Sequence, residues 1–254
     1  MPSYDAIVIG GGTNGLAAAG RLAKAGRGVV VLECGREAGG GAASHEFAPG
    51  YRVSAVAHLL NVLDPRVEQG LDLARHGLAY AARGLATTAL SASGDHLLLA
   101  GPFGARIEGS LADADRTAWA ALRAKLLRFA AVLRPFKDMT PPRLAAGAGN
   151  EVWRLARLGL KVRGLGRADL RELSRMFLIN IADVLDDELA DERLKGVVAF
   201  DTVLGAHLGP RSPNSLLLLL NRLAGEAAGA RQDDLRIDAR QSRRRSSNLR
   251  SGVS

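Results

Sequence analysis

Cysteine and long apolar runs are scarce in this sequence of 254 residues, and each shortage excludes a class of protein. The single cysteine, Cys34, leaves no partner for an internal disulfide and no CxxC redox pair. The apolar run from Leu216 to Leu220 is far too short to span a bilayer. No basic region followed by an apolar stretch precedes the first apolar run, so we expect no secretory signal and a cytoplasmic protein.

Positive charge is concentrated at one end of the sequence. The net charge is +8, and residues 231–254 hold seven arginines against three aspartates. The preceding part is mildly basic and shows no basic face with aromatic or motif support, so we predict no nucleic-acid partner. Few apolar residues and no periodicity predict that residues 231–254 are disordered. The alternative for this arginine-rich segment is a patch for nucleic acid, anionic lipid or a targeting factor.

A glycine-rich turn follows the first apolar run and is typical of a dinucleotide-binding βαβ unit. The run from Ala6 to Ile9 predicts a strand buried on both faces. Gly10 allows a tight turn, Gly12 lets the backbone approach a pyrophosphate, and Gly15 lets the following helix pack close to the strand. The positive end of that helix would face the phosphates. The residues predicted to lie at the pyrophosphate are Gly10, Gly11, Gly12, Asn14 and Gly15.

An acidic residue stands at the end of the second predicted strand. Val29 to Leu32 forms this strand, and Glu33 follows it directly. A carboxylate at this position can accept hydrogen bonds from both hydroxyls of the adenosine ribose, and it repels the 2′-phosphate of NADP. Cys34 follows this acid, which indicates a structural thiol rather than a nucleophile.

A second glycine cluster, Gly39-Gly40-Gly41, follows Glu33 at short range. NAD-binding units do not need this cluster, whereas an extended FAD needs a second close approach of the backbone. The joint pattern resembles the flavoproteins with two dinucleotide-binding domains, which include phytoene desaturases and amine oxidases. We therefore predict FAD as the cofactor, with Gly39 and Gly40 at its second backbone approach and an NAD-dependent dehydrogenase as the alternative.

Three further segments resemble the phytoene desaturase-like oxidoreductases, and more narrowly the pyridine nucleotide-disulfide oxidoreductase domain-containing protein two group. They are residues 42–52, 54–78 and 194–225, within a resemblance that covers roughly residues 4–230. The resemblance implies an FAD-dependent oxidoreductase, located in the mitochondrial matrix in a eukaryotic relative. By position in that group, Ala43 lies against the cofactor. Arg36 lies near the adenine or a phosphate, or is simply a solvated charge.

The predicted fold is α/β, with a Rossmann-like FAD-binding βαβ unit and a largely helical substrate or cap region. Residues 1–75 form the amino-terminal part of the FAD domain, residues 76–230 a hairpin and mainly helical cap, and residues 231–254 the tail. Ser93-Gly94-Asp95 predicts the hairpin turn. Predicted helices begin after Asp113 and cover Val152–Leu160, Ala168–Leu185, Asp191–Leu204 and Pro213–Ala227, and Pro135 is expected to end the first of them.

The expected reaction is transfer of hydride from a substrate C–H bond, of an apolar small molecule, to the flavin. The sequence identifies no general base and no metal-ligand spacing among its five histidines. The substrate partner is a small molecule, and peripheral contact with a membrane surface stays open. Two alternatives remain: a non-catalytic lipid- or protein-binding module of the same fold, or an inactive fragment. Loss of the resemblance near residue 230 indicates a truncated or frameshifted product.

Overall fold

The computed structural model describes residues 3–227 and 233–235, apart from residues 55, 58, 61–62, 138–152, 154–155, 158 and 161. The chain divides into two compact units. Unit 1 comprises residues 1–83 with 230–254, and unit 2 comprises residues 84–229. In the described part of the chain, no helix combines the length and the apolar character needed to cross a membrane.

Unit 1 begins with the predicted βαβ unit. Strand β1 (Ala6–Ile9), helix α1 (Thr13–Lys24) and strand β2 (Val29–Leu32) follow one another, and the two strands pair in parallel. Ala6 lies opposite Val29 and Ile9 opposite Leu32, so both strands end at the same edge. This register places the turn after β1 beside the residue that follows β2, which is what a shared ligand site requires.

The prediction that β1 is buried on both faces is wrong. Along this strand, exposed and half-buried residues alternate, and Ile7 and Ile9 are 64% and 86% exposed. Leu32 at the end of β2 is also half-exposed. Parallel strands are buried on both faces only when helices cover both faces, and α1 covers one face of this two-stranded sheet.

A hairpin, a short helix and a small sheet follow in the described part of unit 1. Strands β3 (Ser44–Ala48) and β4 (Tyr51–Ser54) form an antiparallel hairpin that the sequence analysis did not predict. Helix α2 (Pro65–Gly70) is capped by Asp64, whose carboxylate accepts from the Arg66 amide. A three-stranded sheet has the order β5 (Leu59–Leu60), β10 (Asp233–Leu235) and β6 (Tyr80–Arg83).

Part of the predicted disordered tail is therefore a strand. Residues 233–235 pair with β5 and β6, because a central strand bonds its neighbours through the backbone and does not need apolar side chains. The remaining residues from 231 onward lie outside the described part of the chain.

Unit 2 opens with a three-stranded antiparallel sheet. Strands β7 (Thr87–Ala89) and β8 (Leu97–Ala100) form the predicted hairpin, and Gly94 in its turn adopts a φ of +81°. Strand β9 (Arg106–Glu108) adds to the free edge of β8, and the sequence analysis missed it because it is only three residues long.

Among the described residues of unit 2, five helices with printed bounds contribute to one apolar core that also contains Leu97 of β8. They are α3 (Asp113–Lys137), α4 (Gly166–Leu178), α5 (Ile181–Glu188), α6 (Glu192–Val203) and α7 (Ser215–Ala227). The buried side chains include five that recur at helical spacing along α3, namely Trp119, Leu122, Leu126, Phe129 and Ala130. The largely helical character of this region agrees with the expectation from the apolar periodicity.

Three helix boundaries differ from the sequence prediction. Helix α3 continues past Pro135 to Lys137, since a proline near the last turn removes only one hydrogen bond of the helix. The predicted helix 168–185 is broken at Asn180, whose side chain accepts from the Asp183 amide and so begins α5. Helix α7 begins at Ser215 rather than Pro213, because Asn214 adopts a left-handed φ of +63°.

Candidate functional site

The turn between β1 and α1 depends on two glycines, Gly10 and Gly15, whose backbones are in close contact. Gly10 has a φ of +97°, which L-residues with a side chain rarely adopt. A Cβ atom added at Gly15 would lie 2.0 Å from the Gly10 carbonyl oxygen. The first turn of α1 therefore packs directly on the turn, as the sequence analysis predicted for the third glycine of the motif.

Helix α1 supplies no negative charge of its own at its amino terminus, although the Glu33 carboxylate reaches the Gly11 amide just before it. Gly12 precedes the helix without a side-chain cap, and the first turn contains no acidic residue. The last turn carries Arg21 and Lys24, which complement the negative end of the helix dipole. The positive end of α1 is thus left to interact with an anion such as a pyrophosphate.

The second glycine cluster packs against the first. The Gly39 amide donates to the Gly11 carbonyl at 2.7 Å, and Gly12 and Gly39 form an isolated parallel bridge. A Cβ atom added at Gly40 would lie 3.0 Å from the Gly12 Cα. Backbone rather than side chains therefore forms this surface, and the two clusters lie against each other.

The Glu33 carboxylate is held at the edge of this glycine surface. Oε2 accepts from the Gly11 amide at 2.5 Å, and Oε1 accepts from the Gly35 amide at 2.8 Å. These bonds hold the pKa of Glu33 below its ordinary value, with the Gly35 bond as the largest cause and the Gly11 bond next. Each oxygen has a second lone pair, so the ionised carboxylate can still accept from ribose hydroxyls.

The other predicted residues take less definite positions. Asn14 and Arg36 are both exposed. Ala43 is half-buried, and its Cα and Cβ lie 3.2 Å from where a Cβ of Gly39 would stand. Ala43 thereby supports the backbone of the second glycine cluster.

Two residues near Glu33 were missed as parts of the site. The Gly35 amide orients the carboxylate, and the Cys34 thiol is exposed and donates to Oε1 at 3.5 Å. An acidic residue whose carboxylate bonds the amide two positions later is a local turn, and a glycine at that position was the available signal.

Comparison with known proteins agrees with this geometry. The family described as the NAD(P)-binding Rossmann-like domain matches residues 8–72. That range contains both glycine clusters and Glu33. The Rossmann-like fold predicted from the sequence is confirmed.

Two curated relatives extend the similarity over most of the chain. The chain is 32% identical to pyridine nucleotide-disulfide oxidoreductase domain-containing protein 2 of Rattus norvegicus, over 90% of this chain and 42% of the relative. The protein of the same name from Mus musculus gives the same identity and coverage. The chain thus spans less than half the length of these relatives. A shorter stretch of 82 residues is 46% identical to (S)-6-hydroxynicotine oxidase of Paenarthrobacter nicotinovorans, covering 31% of this chain and 19% of that enzyme.

Solved structures of putrescine oxidase share the fold. The wild type bound to putrescine superposes with a TM-score of 0.51 at 15% identity, over 91% of this chain and 46% of that chain. A double mutant of the same enzyme gives a TM-score of 0.53 at 16% identity, with the same coverage. Identities this low support the fold alone.

The names of the sequence relatives are those of oxidoreductases, which is the class expected from the glycine motifs and the downstream segments. Over 90% of its length the chain is similar to pyridine nucleotide-disulfide oxidoreductase domain-containing protein 2, and residues 8–72 match the Rossmann-like family.

Proposed function

We propose that this chain binds FAD through the two glycine clusters and Glu33, and that it belongs to an FAD-dependent oxidoreductase. The observation that carries the proposal is the packing of Gly39 and Gly40 on the turn at Gly11 and Gly12. A single glycine turn suffices for one pyrophosphate, whereas two adjoining turns offer a longer side-chain-free surface for an extended dinucleotide. The relatives named as oxidoreductases support the same reading.

The described residues fit such a cofactor. The turn at Gly10 and the start of α1 would hold the pyrophosphate, and the Glu33 carboxylate would hold the adenosine ribose. Bound FAD supplies a ring that accepts a hydride from a substrate C–H bond. The protein contributes binding and orientation: an uncapped helix end that faces an anion, and an ionised acid whose position is fixed by two amides.

Within this class we propose the desaturase type of reaction on an apolar substrate. The support is the resemblance of residues 42–52, 54–78 and 194–225 to the phytoene desaturase-like group. Anaerobic reduction of the flavin by a polyene, with putrescine as the polar comparison, tests this finer proposal. Bleaching of the flavin absorbance by putrescine alone would redirect the substrate class to amines.

Retention of flavin tests the cofactor proposal. We expect the purified chain, incubated with FAD and passed through gel filtration, to keep the absorbance bands of bound flavin. NAD⁺ is the matched competitor, because an NAD-dependent dehydrogenase is the alternative function. A colourless protein after gel filtration, together with retained NAD⁺, would overturn the FAD proposal in favour of that alternative.

The lowered pKa of Glu33 gives a pH dependence for cofactor binding. Because hydrogen bonds from Gly35 and Gly11 stabilise the carboxylate, it stays ionised below its ordinary pKa of 4.5. Both its stabilising contribution and its affinity for ribose are present above that value. Both are lost as the pH falls through the lowered pKa. We expect FAD affinity to stay level from neutral pH down to 4.5 and to weaken only below it.

The control for this pH profile is Glu33→Gln, which has no carboxylate to protonate. Its FAD affinity should lack the acidic step, and circular dichroism at each pH should show that both proteins stay folded. Weakening that begins well above the ordinary glutamate pKa, or an identical step in Glu33→Gln, would contradict the assignment to Glu33.

A further inference from the structure

Unit 2 exposes large apolar side chains on one short helical segment. The described residues 153, 156, 157, 159, 160, 162 and 163 are helical. Trp153 is 76% exposed and Leu160 is 66% exposed, whereas Trp119 in the core is 3% exposed. Both residues are in helical conformation and stand seven positions apart, a spacing that favours the same face of a helix, and we call them the apolar stripe.

Arginines stand between and after the two apolar residues in the sequence. Arg157 is exposed and stands between Trp153 and Leu160, and Arg163 and Arg167 are exposed just after them. The sequence from residue 152 to 168 contains five basic residues and no acidic residue. This excess of positive charge favours a partner that supplies negative charge.

A cavity adjoins the same segment. It has a volume of about 760 Å³ and is lined by the apolar side chains of Phe136, Val162 and Leu170 together with Arg163 and Arg167. A lining that combines apolar side chains with arginines suits a molecule that has an acyl chain and an anionic head. Nucleic acid would satisfy the arginines but has no acyl chain to fill the apolar lining of the cavity.

We propose that Trp153, Arg157, Leu160, Arg163 and Arg167, here called the Trp153 surface, bind a bilayer that contains anionic phospholipid. Apolar side chains beside Lys and Arg on a short helix are the features of interfacial membrane binding, with the helix lying in the plane of the interface. The apolar stripe enters the boundary between head groups and acyl chains, and the arginines contact the phosphates. The surface would then bring the protein to a bilayer in which an apolar substrate dissolves.

Vesicle binding of the full chain tests this proposal. The probe is a vesicle of phosphatidylcholine with phosphatidylserine, and a vesicle of pure phosphatidylcholine is the comparison. We expect co-sedimentation with the anionic vesicle and weaker binding at high salt. Trp153 should also report insertion by a blue shift of its emission. The chain has only two tryptophans, and the other, Trp119, is already buried.

Two double variants with the same change in net charge show whether binding depends on the Trp153 surface or only on the positive charge of the whole protein. Arg157→Glu with Arg163→Glu should reduce partitioning by about tenfold or more, since two attractive contacts with anionic head groups become repulsive. The control, Arg27→Glu with Arg106→Glu, changes the net charge equally at exposed positions elsewhere. Lysine at positions 157 and 163 should restore binding, which would show that a loss in the glutamate variant is not a loss of folding.

Three results would overturn the proposal. The first is an equal loss of binding in the Arg157→Glu, Arg163→Glu variant and in the control variant. The second is undiminished binding in the Arg157→Glu, Arg163→Glu variant, which would place the lipid contact elsewhere, for instance in the arginine-rich residues 231–254. The third is an emission maximum that does not move when anionic vesicles are added, or a shift that survives in Trp153→Phe.

Discussion

Replacing Gly15 by alanine is expected to weaken FAD binding by about 100-fold or more. The added Cβ would lie 2.0 Å from the Gly10 carbonyl oxygen, which belongs to the backbone and cannot rotate away. Overpacking of this kind costs about 1–3 kcal/mol and occasionally more, and about 2.7 kcal/mol corresponds to that loss of affinity. To relieve this clash, the turn at Gly10 and the start of α1 must move apart. The backbone amides of these two segments could then no longer bind the same pyrophosphate. Quenching of FAD fluorescence measures the affinity.

Gly28→Ala is the matched control in the same βαβ unit. A Cβ at Gly28 would lie 3.6 Å from Asp5 Oδ2, which is an ordinary contact. We expect this variant to bind FAD like the unmodified chain. Normal binding by Gly15→Ala would show that the turn is more plastic than its packing indicates, and would remove the close approach at Gly10 from the site.

Replacing Glu33 by alanine is expected to weaken FAD binding by about 10- to 100-fold. The carboxylate would lose its bonds to the ribose hydroxyls, and hydrogen bonds to a charged group contribute about 1.5–3 kcal/mol. The Gly11 and Gly35 amides would also lose the acceptor that fixes the loop. Glu33→Gln should give an intermediate value, because it keeps an acceptor oxygen but not the charge. Calorimetric titration with FAD measures each affinity.

Glu37→Ala removes the same charge from the same loop and serves as the control. Glu37 is 62% exposed and pairs with Arg52 at 3.4 Å, so its loss should change FAD affinity little. Equal weakening in Glu33→Ala and Glu37→Ala would indicate a general charge effect. Undiminished affinity in Glu33→Ala would contradict the ribose assignment.

The elements that the sequence predicts well are those whose signals are local. The glycine spacing between Gly10 and Gly15, the apolar runs of β1 and β2, and the turn at Gly94 each specify a backbone conformation without reference to distant residues. The stripe that begins at Trp119 likewise defines the buried face of α3.

The features that the sequence does not reveal depend on which strands pair and on which elements cover a sheet. The strand at residues 233–235 and strand β9 are each three residues long and acquire their order from neighbouring backbones. The exposure of Ile7 and Ile9 follows from what covers the sheet, which the apolar run cannot reveal. The helix ends near Pro135 and Pro213 differ from the prediction by two residues each. Such shifts change the free energy of a helix little, so the position of a proline does not fix the boundary.

In the candidate site, too, local features could be predicted from the sequence and contacts between segments could not. Glycine spacing located both clusters, but only the structure shows Gly40 against Gly12 and the Gly39 amide on the Gly11 carbonyl. The position of Glu33 was predictable, whereas its bond to the Gly35 amide was not noticed. No sequence pattern identified a general base, and this role stays unassigned.

A side-by-side titration of the unmodified chain with FAD and NAD⁺ tests the central claim most directly. We predict saturable, stoichiometric binding of FAD and much weaker binding of NAD⁺, with the FAD isotherm lost in Gly15→Ala and kept in Gly28→Ala. Tighter binding of NAD⁺ than of FAD, or an FAD isotherm that Gly15→Ala leaves unchanged, would contradict the account.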